Sequence, residues 1–360
     1  KKFHINKIIL WCCNVGINDF VASELSSLTG AEIFYSNEII SKEQNSVSNS
    51  KNEIIKFSEI FKGDYLNSWT GTLNWYQIGE DIDGENKNDN FGKALSLSDD
   101  GTIIAVGAAN NNGGGTKSGS VKIFKKNDNS WVQLGEDIDG ETTNEASGGS
   151  ISLSSDGTTL AIGSEKKNID SIGNKTGVVR VFKFDNNNWE KIGSDIEGES
   201  AYDYFGNAVK ISSDGTFLIA GAKKNDGNES AYAGQIRVYK NVDNKWVQVG
   251  SDINGDSAYS YLGYSVDISS DGSIIAAGAY KDDGTGTYLG SVKVFENQND
   301  EWVQVGSTIY GNNNNDLSGY SLSLSSDGSV VAIGSISNDD NGEDSGHVRI
   351  FKNSDGIWQQ

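Results

Sequence analysis

Four short apolar segments follow one another in the last third of the chain, and each has the pattern of a β-strand. Residues 264–269 and 291–295 alternate apolar with polar residues, as strands with one buried face do. Residues 274–278, between them, are continuously apolar and small, which favours a strand buried on both faces. The fourth segment, residues 302–306, begins with a tryptophan. Asp271-Gly272 joins the first two segments, and Asp-Gly between apolar runs predicts a tight hairpin because glycine accepts a positive φ.

This four-strand unit is repeated along the chain. Its tryptophan phrase recurs every 56 to 58 residues, at Trp75, Trp131, Trp189, Trp246, Trp302 and Trp358. Repeats of this length with four strands predict the blades of a β-propeller, whereas the alternative, a solenoid, usually has shorter repeats with fewer strands. We expect five blades, each ending on its tryptophan strand, at residues 91–135, 147–193, 205–250, 262–306 and 318–360. The extra strand at Trp75 belongs either to an incomplete sixth blade or to the N-terminal part.

Two short elements of the repeat carry a family resemblance. One is the pair Phe91-Gly92, which returns as Phe205-Gly206, and the other is a Gly-Ala pair, as in Gly107-Ala108. From residue 75 to the end, the chain resembles FG-GAP repeats, the blades of integrin α-subunits and of many large secreted bacterial proteins. The resemblance implies a calcium loop between the first two strands. Only a tight turn with a single aspartate stands there, as at Asp271, too few oxygens for calcium, so we do not carry that site over.

Residues 1–55 have a different pattern. A buried-type strand at residues 7–14, a helix at 20–28 and a second strand at 31–36 predict a small β-α-β piece, and residues 41–55 have the composition of an exposed linker. The sequence therefore predicts a mainly β protein, with a partial α/β unit and linker at 1–55 and five four-stranded propeller blades at 56–360.

The N-terminal piece resembles the end of a caspase-like domain of the kind that precedes repeats in large bacterial surface proteins. The segments 9–16 and 28–31 carry this resemblance. It implies that Cys13 stands at the position of the catalytic cysteine, with the histidine partner upstream of residue 1, since His4 is not followed by glycine. The other interpretation of Cys13 is a small buried thiol.

Charge and composition exclude several classes of function. The net charge is −21, which repels nucleic acid and anionic lipid, so we expect neither as a partner. No apolar run is long enough to span a membrane. Two histidines and two adjacent cysteines cannot make a zinc site or a disulfide framework. Methionine is absent, so we expect a processed or trimmed product.

Acidic residues recur in two sets of loops. They are candidate calcium ligands, and the alternative is solvated charge on turn-rich loops. The candidates are Asp81, Asp83, Glu85, Asp137, Asp139 and Glu141 in the first set and Asp339, Asp340 and Asp344 in the second.

Tyrosines in the loops are candidates for partner binding. Tyr202, Tyr204, Tyr259 and Tyr261, with Tyr232 and Tyr288, lie beside Asp and Asn, a combination that binds sugars or a protein partner. The alternative is that these rings pack between blades. We expect packing for the tryptophans, at the outer edge of each blade against its neighbour.

No acid–base–nucleophile set is recognisable, so the sequence predicts a non-enzymatic binding or scaffold module outside the cell or on its surface, such as an adhesin, a surface-layer protein or a filament subunit. Its partners would be proteins or glycans. The first alternative is the remnant of a caspase-like cysteine peptidase whose propeller binds substrate or a partner, and the second is an intracellular interaction propeller. Exposed strand edges at residues 7–13, at 31–36 and near Trp358 predict self-assembly or association with an upstream fragment.

Overall fold

The computed structural model describes residues 77–227 and 231–360 in full and, before them, the backbone of four short strands. These strands are β1 Lys7–Leu10, β2 Glu32–Tyr35, β3 Ser46–Asn49 and β4 Ile54–Lys56. They form one sheet in chain order, in which β1 and β2 are parallel and the other pairs antiparallel. The chain divides into two compact units, Lys1–Gln77 and Ile78–Gln360. The predicted helix at residues 20–28 lies outside the described residues, as does Cys13.

Five antiparallel sheets, blades 1 to 5, make up the second unit, which confirms the predicted fold. The innermost strands are β5 Phe91–Leu97, β10 Ser150–Leu153, β15 Phe205–Ile211, β20 Ser265–Ile268 and β25 Ser318–Leu324. The second strands are β6 Ile103–Ala108, β11 Thr159–Ser164, β16 Phe217–Ala222, β21 Ile274–Ala279 and β26 Val330–Ser335. The third strands are β7 Ser120–Asn127, β12 Val178–Asp185, β17 Gln235–Val242, β22 Ser291–Gln298 and β27 His347–Ser354. The outermost strands are β8 Ser130–Gln133, β13 Asn188–Lys191, β18 Lys245–Gln248, β23 Glu301–Gln304 and β28 Ile357–Gln359.

A further short strand joins each of the first four blades, where the sequence predicted four strands only. The loop that follows the outermost strand pairs with the first residues of the third strand, as Ile138 does with Val121. These short strands are β9 Ile138–Asp139, β14 Ile196–Glu197, β19 Ile253–Asn254 and β24 Ile309–Tyr310. The pairing holds the acidic loops against the third strands. Among the described residues there is no helix long and apolar enough to cross a membrane.

The hydrophobic core lies between neighbouring blades. Val121 and Ile123 of the third strand in blade 1 pack in one cluster with Ile151 and Leu153 of the innermost strand in blade 2. The same arrangement recurs at the next three junctions. The second strands are buried on both sides, as predicted, because they lie at the centre of each sheet. Each blade therefore depends on its neighbour for most of its apolar burial.

The tryptophans connect blades at their outer edge, which confirms their packing role. The Trp189 Nε1–H donates to the carbonyl of Leu134 in the preceding blade, at 2.9 Å. A Cβ added to the next residue, Gly135, would lie 2.8 Å from Trp189 Cδ1. Trp302 and Trp358 repeat the hydrogen bond, to Val249 and Val305. The glycine that ends each tryptophan phrase is thus the contact surface for the tryptophan of the following blade.

Candidate ligand-binding face

A cation is buried at the third position of every third strand. In blade 2, Arg180 is 4% exposed and contacts Glu141, Glu145 and Asp195. In blade 1, the Lys122 ammonium contacts Glu85 and, at 3.0 Å, Asp137. The remaining members are Arg237, Lys293 and Arg349. The cations share one contact: the third acidic position of the loop before each blade, an asparagine in blade 5.

These ion pairs give the first acidic loops a structural role. The carboxylates of Glu85, Asp137 and Glu141 form ion pairs with the buried cations Lys122 and Arg180. A calcium ion at these carboxylates would have to compete with the ion pairs. Burial, together with the neighbouring Asp137, raises the pKa of Asp139. Within residues 77–227 and 231–360, no three Asp, Glu, His or Cys side chains are placed to hold one metal ion. The calcium assignment, including Asp81 and Asp83, therefore stays a prediction.

The second acidic loop is held by its own hydrogen bonds. Asp339 Oδ1 accepts from the backbone N–H of Asp344 at 2.8 Å. Asp340 accepts from the Asn313 side chain at 3.4 Å, and its carboxylate lies 3.8 Å from His347 Nδ1. These contacts shape the loop and join it to the preceding one.

A buried polar residue anchors each loop that leads into an innermost strand. Asp203, 2% exposed, accepts from the backbone N–H of Ser200 at 2.8 Å and from Asn225 Nδ2 at 3.0 Å. Burial raises the pKa of this carboxyl. Asp89 and Asp316 make the same bond to an asparagine of the next loop. The anchor fixes the backbone on either side of it, and in blade 3 its neighbours are Tyr202 and Tyr204.

Six loop tyrosines have a left-handed backbone, which bulky side chains rarely adopt. At Tyr202 and Tyr204 the φ angles are 70° and 57°. The others are Tyr232, Tyr259, Tyr261 and Tyr288. At the position of Tyr202, blades 1, 2 and 5 have asparagine, which tolerates this conformation better. The anchored loops therefore hold these tyrosines in an unfavourable backbone conformation.

These tyrosines join strand tyrosines and lysines in one continuous surface, the tyrosine–lysine face. The rings of Tyr232 and Tyr259 are 5.6 Å apart, and those of Tyr264 and Tyr320 are 5.0 Å apart. The face consists of Tyr202, Tyr204, Tyr232, Tyr259, Tyr261, Tyr264, Tyr280, Tyr288, Tyr320, Lys175, Lys223, Lys224 and Lys281. Tyr202 and Tyr259 are 48% and 52% exposed, so packing between blades is not their main role.

Each lysine of the face lies over tyrosine rings. Lys224 Nζ is 5.2 Å from the ring centre of Tyr204 and 5.3 Å from that of Tyr232. Lys281 Nζ lies within 6 Å of three rings. Ammonium groups at this distance are attracted to ring faces, so charge and aromatic surface are interleaved. Burial raises the pKa of the phenols of Tyr261, Tyr264 and Tyr280, which therefore remain neutral donors.

Two cavities open beside these residues. One, of about 310 Å³, is lined by the innermost strands of all five blades and includes Tyr264 and Tyr320. The other, of about 460 Å³, is lined by Tyr202 with Lys117, Lys166 and Lys175 and by four asparagines. Amide groups, cations and an exposed ring therefore surround the second cavity.

The structure brings together all six loop tyrosines that sequence reasoning named, and it adds residues that this reasoning missed. Tyr264, Tyr280 and Tyr320 were missed because they lie in or beside strands rather than in loops. Some lysines could have been found from the repeat: Lys224 and Lys281 of the face, and Lys166 of the second cavity, each lie three residues after the glycine of the second strand.

Comparison with known protein families identifies one repeat of the chain. Residues 83–124 match the model of the FG-GAP repeat, and such repeats are typical of extracellular or periplasmic proteins. A comparison with curated proteins finds no match. No support emerges for a caspase-like N-terminal piece.

Three solved structures are similar at low identity. Hydrazine synthase of Kuenenia stuttgartiensis has 14% identity and a TM-score of 0.48, over 77% of this chain and 68% of that one. A periplasmic gluconolactonase of Pseudomonas aeruginosa has 16% identity and a TM-score of 0.49, over 74% of this chain and 70% of that one. A candidate 6-phosphogluconolactonase of Bacteroides uniformis has 12% identity and a TM-score of 0.45, over 74% of this chain and 83% of that one.

The prediction that the chain is not an enzyme is corrected by these names. Two of the three similar structures are named as lactonases. Fold and function are separable, and the lack of a recognisable acid–base–nucleophile set in the sequence does not exclude catalysis.

Proposed function

We propose that the chain is an extracellular or periplasmic binding module that takes an acidic polysaccharide on its tyrosine–lysine face. The observation that carries this proposal is the interleaving of nine tyrosine rings with four lysines on one surface. We also infer that all five blades are FG-GAP repeats, since blades 3 and 4 retain the elements Phe205-Gly206 and Gly278-Ala279.

The chemistry of the face fits a chain of acidic sugars. Aromatic rings present flat apolar surfaces on which sugar rings stack, and their hydroxyls hydrogen-bond the rim of the sugar. Lysine ammonium groups between the rings pair with carboxylate or sulfate groups. Because the face extends over several blades, it offers successive contacts to a polymer rather than one enclosed site to a small molecule.

Backbone strain supports a binding role for the exposed rings. Tyrosine in the left-handed region costs roughly 1–2 kcal/mol per residue relative to an ordinary conformation. Tyr202 and Tyr259 are about half exposed, so burial of their rings offsets little of this conformational cost. Asparagine at the same position in other blades shows that the loop folds without the ring.

Charge restricts where a polyanion can bind. The chain as a whole has a net charge of −21, which repels acidic polymers from most of its surface. Lysines of the face supply local positive charge, so we expect binding to weaken as salt screens it.

Titration calorimetry with polygalacturonate as the acidic probe and dextran as the neutral one tests this function. Tyr202→Asn with Tyr259→Asn installs the residue that other blades have, and we expect about tenfold weaker binding, from roughly 0.7 kcal/mol per ring. Lys175→Gln, Lys224→Gln and Lys281→Gln together remove three of the four lysine charges of the face. The control is the same change at three exposed lysines outside the face, Lys125, Lys245 and Lys352.

The outcomes separate the alternatives. Binding of polygalacturonate that the face variants weaken and the control variant retains supports the proposal. Equal loss in the control variant would mean non-specific attraction and would overturn it. Preference for a single-stranded oligonucleotide, or binding of neither polysaccharide, would also overturn it.

A further inference from the structure

The second cavity carries positive charge that no carboxylate balances. Its lining contains three lysines, Lys117, Lys166 and Lys175, and no aspartate or glutamate. By contrast Lys167, the next residue along the chain, has its ammonium group 3.1 Å from the Glu145 carboxylate. Among the described residues, no carboxylate lies within 4 Å of the ammonium groups of the three lining lysines. In a chain of net charge −21, such a local excess of cations marks a place for an anion.

The loops between the second and third strands explain why negative charge is missing here. In every blade, a backbone N–H of this loop donates to a side-chain oxygen five to seven residues earlier. In blades 3, 4 and 5 that oxygen belongs to an aspartate. In blades 1 and 2 it belongs to an asparagine. Lys117 donates to Asn112 at 2.8 Å. Lys175 donates to Asn168 at the same distance. The two loops beside the cavity therefore form the same turn without its carboxylate.

The asparagines of the second cavity add hydrogen-bond donors. Because Asn168 Oδ1 accepts from the Lys175 N–H, the amino group of this side chain is left to donate. The side chains of Asn110, Asn144 and Asn174 make no hydrogen bond to any described residue. Ammonium groups only donate, so donors outnumber acceptors around the cavity. This lining suits a ligand rich in oxygen acceptors.

The size of the second cavity suits a sugar unit rather than a bare inorganic ion. Its volume, about 460 Å³, lies in the range of small-molecule sites, roughly 300–1,000 Å³. Tyr202 forms part of the lining and is also a ring of the tyrosine–lysine face. Lys175 is shared in the same way, with Nζ 5.9 Å from the ring centre of Tyr202 and 5.7 Å from that of Tyr204. A ligand that stacks on the face can therefore continue into the cavity.

We propose that the second cavity binds a sugar unit that carries a sulfate ester, and that it selects sulfated chains among acidic polysaccharides. This inference rests on the function proposed for the tyrosine–lysine face. The three terminal oxygens of a sulfate ester point in different directions, so they accept from lysines of two blades at once: Lys117 from blade 1, and Lys166 and Lys175 from blade 2. A carboxylate has two oxygens in one plane and engages fewer of these donors. The sugar hydroxyls accept from the asparagine amides.

Chondroitin and chondroitin 4-sulfate are matched probes, because they share a backbone and its carboxylate and differ only in the sulfate ester. In titration calorimetry on the full chain, we expect the sulfated polymer to bind about tenfold more tightly. Lys117→Gln with Lys166→Gln removes two cavity charges and leaves every residue of the tyrosine–lysine face in place. Both lysines are exposed, so circular dichroism should show the native fold. In this variant the two polymers should bind with nearly equal affinity.

The control variant has the same change in charge outside the second cavity. Lys125→Gln with Lys245→Gln replaces two exposed lysines that do not line the cavity, and it should keep the preference for the sulfated polymer. Equal affinity of the wild type for the two polymers overturns the inference. A preference that the cavity variant retains, or that the control variant loses to the same extent, also overturns it.

Tyr259→Asn separates this result from the function proposed for the face, because Tyr259 does not line the second cavity. We expect it to weaken the binding of both polymers about threefold and to leave the sulfate preference unchanged. If Tyr259→Asn weakens both polymers and the wild type shows no sulfate preference, the face keeps its proposed function and the cavity inference is wrong. If the preference depends on the cavity lysines but Tyr259→Asn has no effect, the cavity site is supported and the function proposed for the face is wrong. Binding of neither polymer overturns both.

Discussion

At the scale of single residues, the buried cations show how one blade differs from the other four. Lys122, Arg180, Arg237 and Lys293 all have a carboxylate from the preceding loop within 4 Å. Arg349 instead donates to the Asn312 amide oxygen, at 2.7 Å, and to the Tyr310 carbonyl. Burial lowers the pKa of Arg349, because its charge is desolvated without a paired carboxylate.

Restoring the carboxylate should stabilise the protein. In Asn312→Asp, the side chain keeps its size and the hydrogen bond to Arg349 becomes an ion pair, so we expect the free energy of unfolding to rise by about 1 kcal/mol. Urea denaturation measures the change. Asn299→Asp is the control, since it adds the same charge in an exposed turn where blades 1, 3 and 5 have aspartate. An equal gain in both variants would show that the ion pair is not the cause.

The aspartates of the first hairpin of each blade predict how stability responds to acid. Asp327 accepts from the Ser325 hydroxyl and the Ser329 N–H, which lower its pKa from 3.8 to about 2. A carboxyl whose pKa falls on folding stabilises the protein fully above the unfolded value near 3.8, and that contribution is lost as the pH falls through about 2. Similar hydrogen bonds lower the pKa of Asp100, Asp156, Asp214 and Asp271.

Asp327→Asn should reduce this loss. The amide still accepts a hydrogen bond but does not titrate, so we expect the variant to lose less stability than the wild type between pH 4 and pH 2. Urea midpoints across this range measure the difference, with Asp355→Asn in another exposed turn as the control. Parallel pH profiles for wild type and Asp327→Asn would contradict the role of this carboxylate.

At the scale of elements, the blade junction depends on close backbone contact between two glycines. Gly206 and Gly92 occupy the same repeat position, with φ angles of 79° and 84°. A Cβ on Gly206 would lie 2.8 Å from the Val178 carbonyl oxygen and 3.0 Å from Val179 Cγ2, both in blade 2. The same atom on Gly92 would meet nothing within 4 Å. Substitutions at these two glycines therefore distinguish two effects: Gly92 reports the backbone strain alone, and Gly206 reports the strain together with the contact between blades.

Gly206→Ala should destabilise the protein more than Gly92→Ala. Both variants place alanine in the left-handed region, which lowers the free energy of unfolding by about 1 kcal/mol. Only Gly206→Ala also forces two blades apart, which lowers it by roughly 1–3 kcal/mol more. Thermal or urea unfolding at low protein concentration measures both. Equal losses would mean that the blades relax around an added methyl group and that the junction is less tightly packed than it is in this structure.

Sequence reasoning found the blades but not the contacts between them. Periodic phrases such as the one from Trp131 to Gly135 show which positions keep the same residue in each repeat. They do not show which residue of which other repeat each position contacts, because all repeats contain the same residue types. The contact of Gly135 with Trp189 spans 54 residues and was therefore invisible to a search within one repeat. Lys122 was missed for another reason: a polar residue in an alternating strand is expected to face water, whereas Glu85 of the acidic loop before blade 1 covers it.

At the scale of the whole second unit, burial is unequal among blades that have almost the same sequence. In all five blades the third strand pairs with the second and the outermost strand, and blade 5 lacks only the short fifth strand. The larger difference is in burial: Ile236 and Val238 of β17 are each 1% exposed, whereas Val348 and Ile350 of β27 are mostly exposed. In repeat proteins each unit is stabilised mainly by its neighbours, so a blade with one neighbour opens more easily than a blade with two.

Hydrogen exchange should show this difference strand by strand. At low concentration we expect the backbone amides of residues 349–354 to exchange faster than those of residues 237–242, although both segments pair with a strand on each side. Mass spectrometry of the corresponding peptides measures both rates. Equal protection of the two segments would mean that the exposure of Val348 and Ile350 costs blade 5 no local stability.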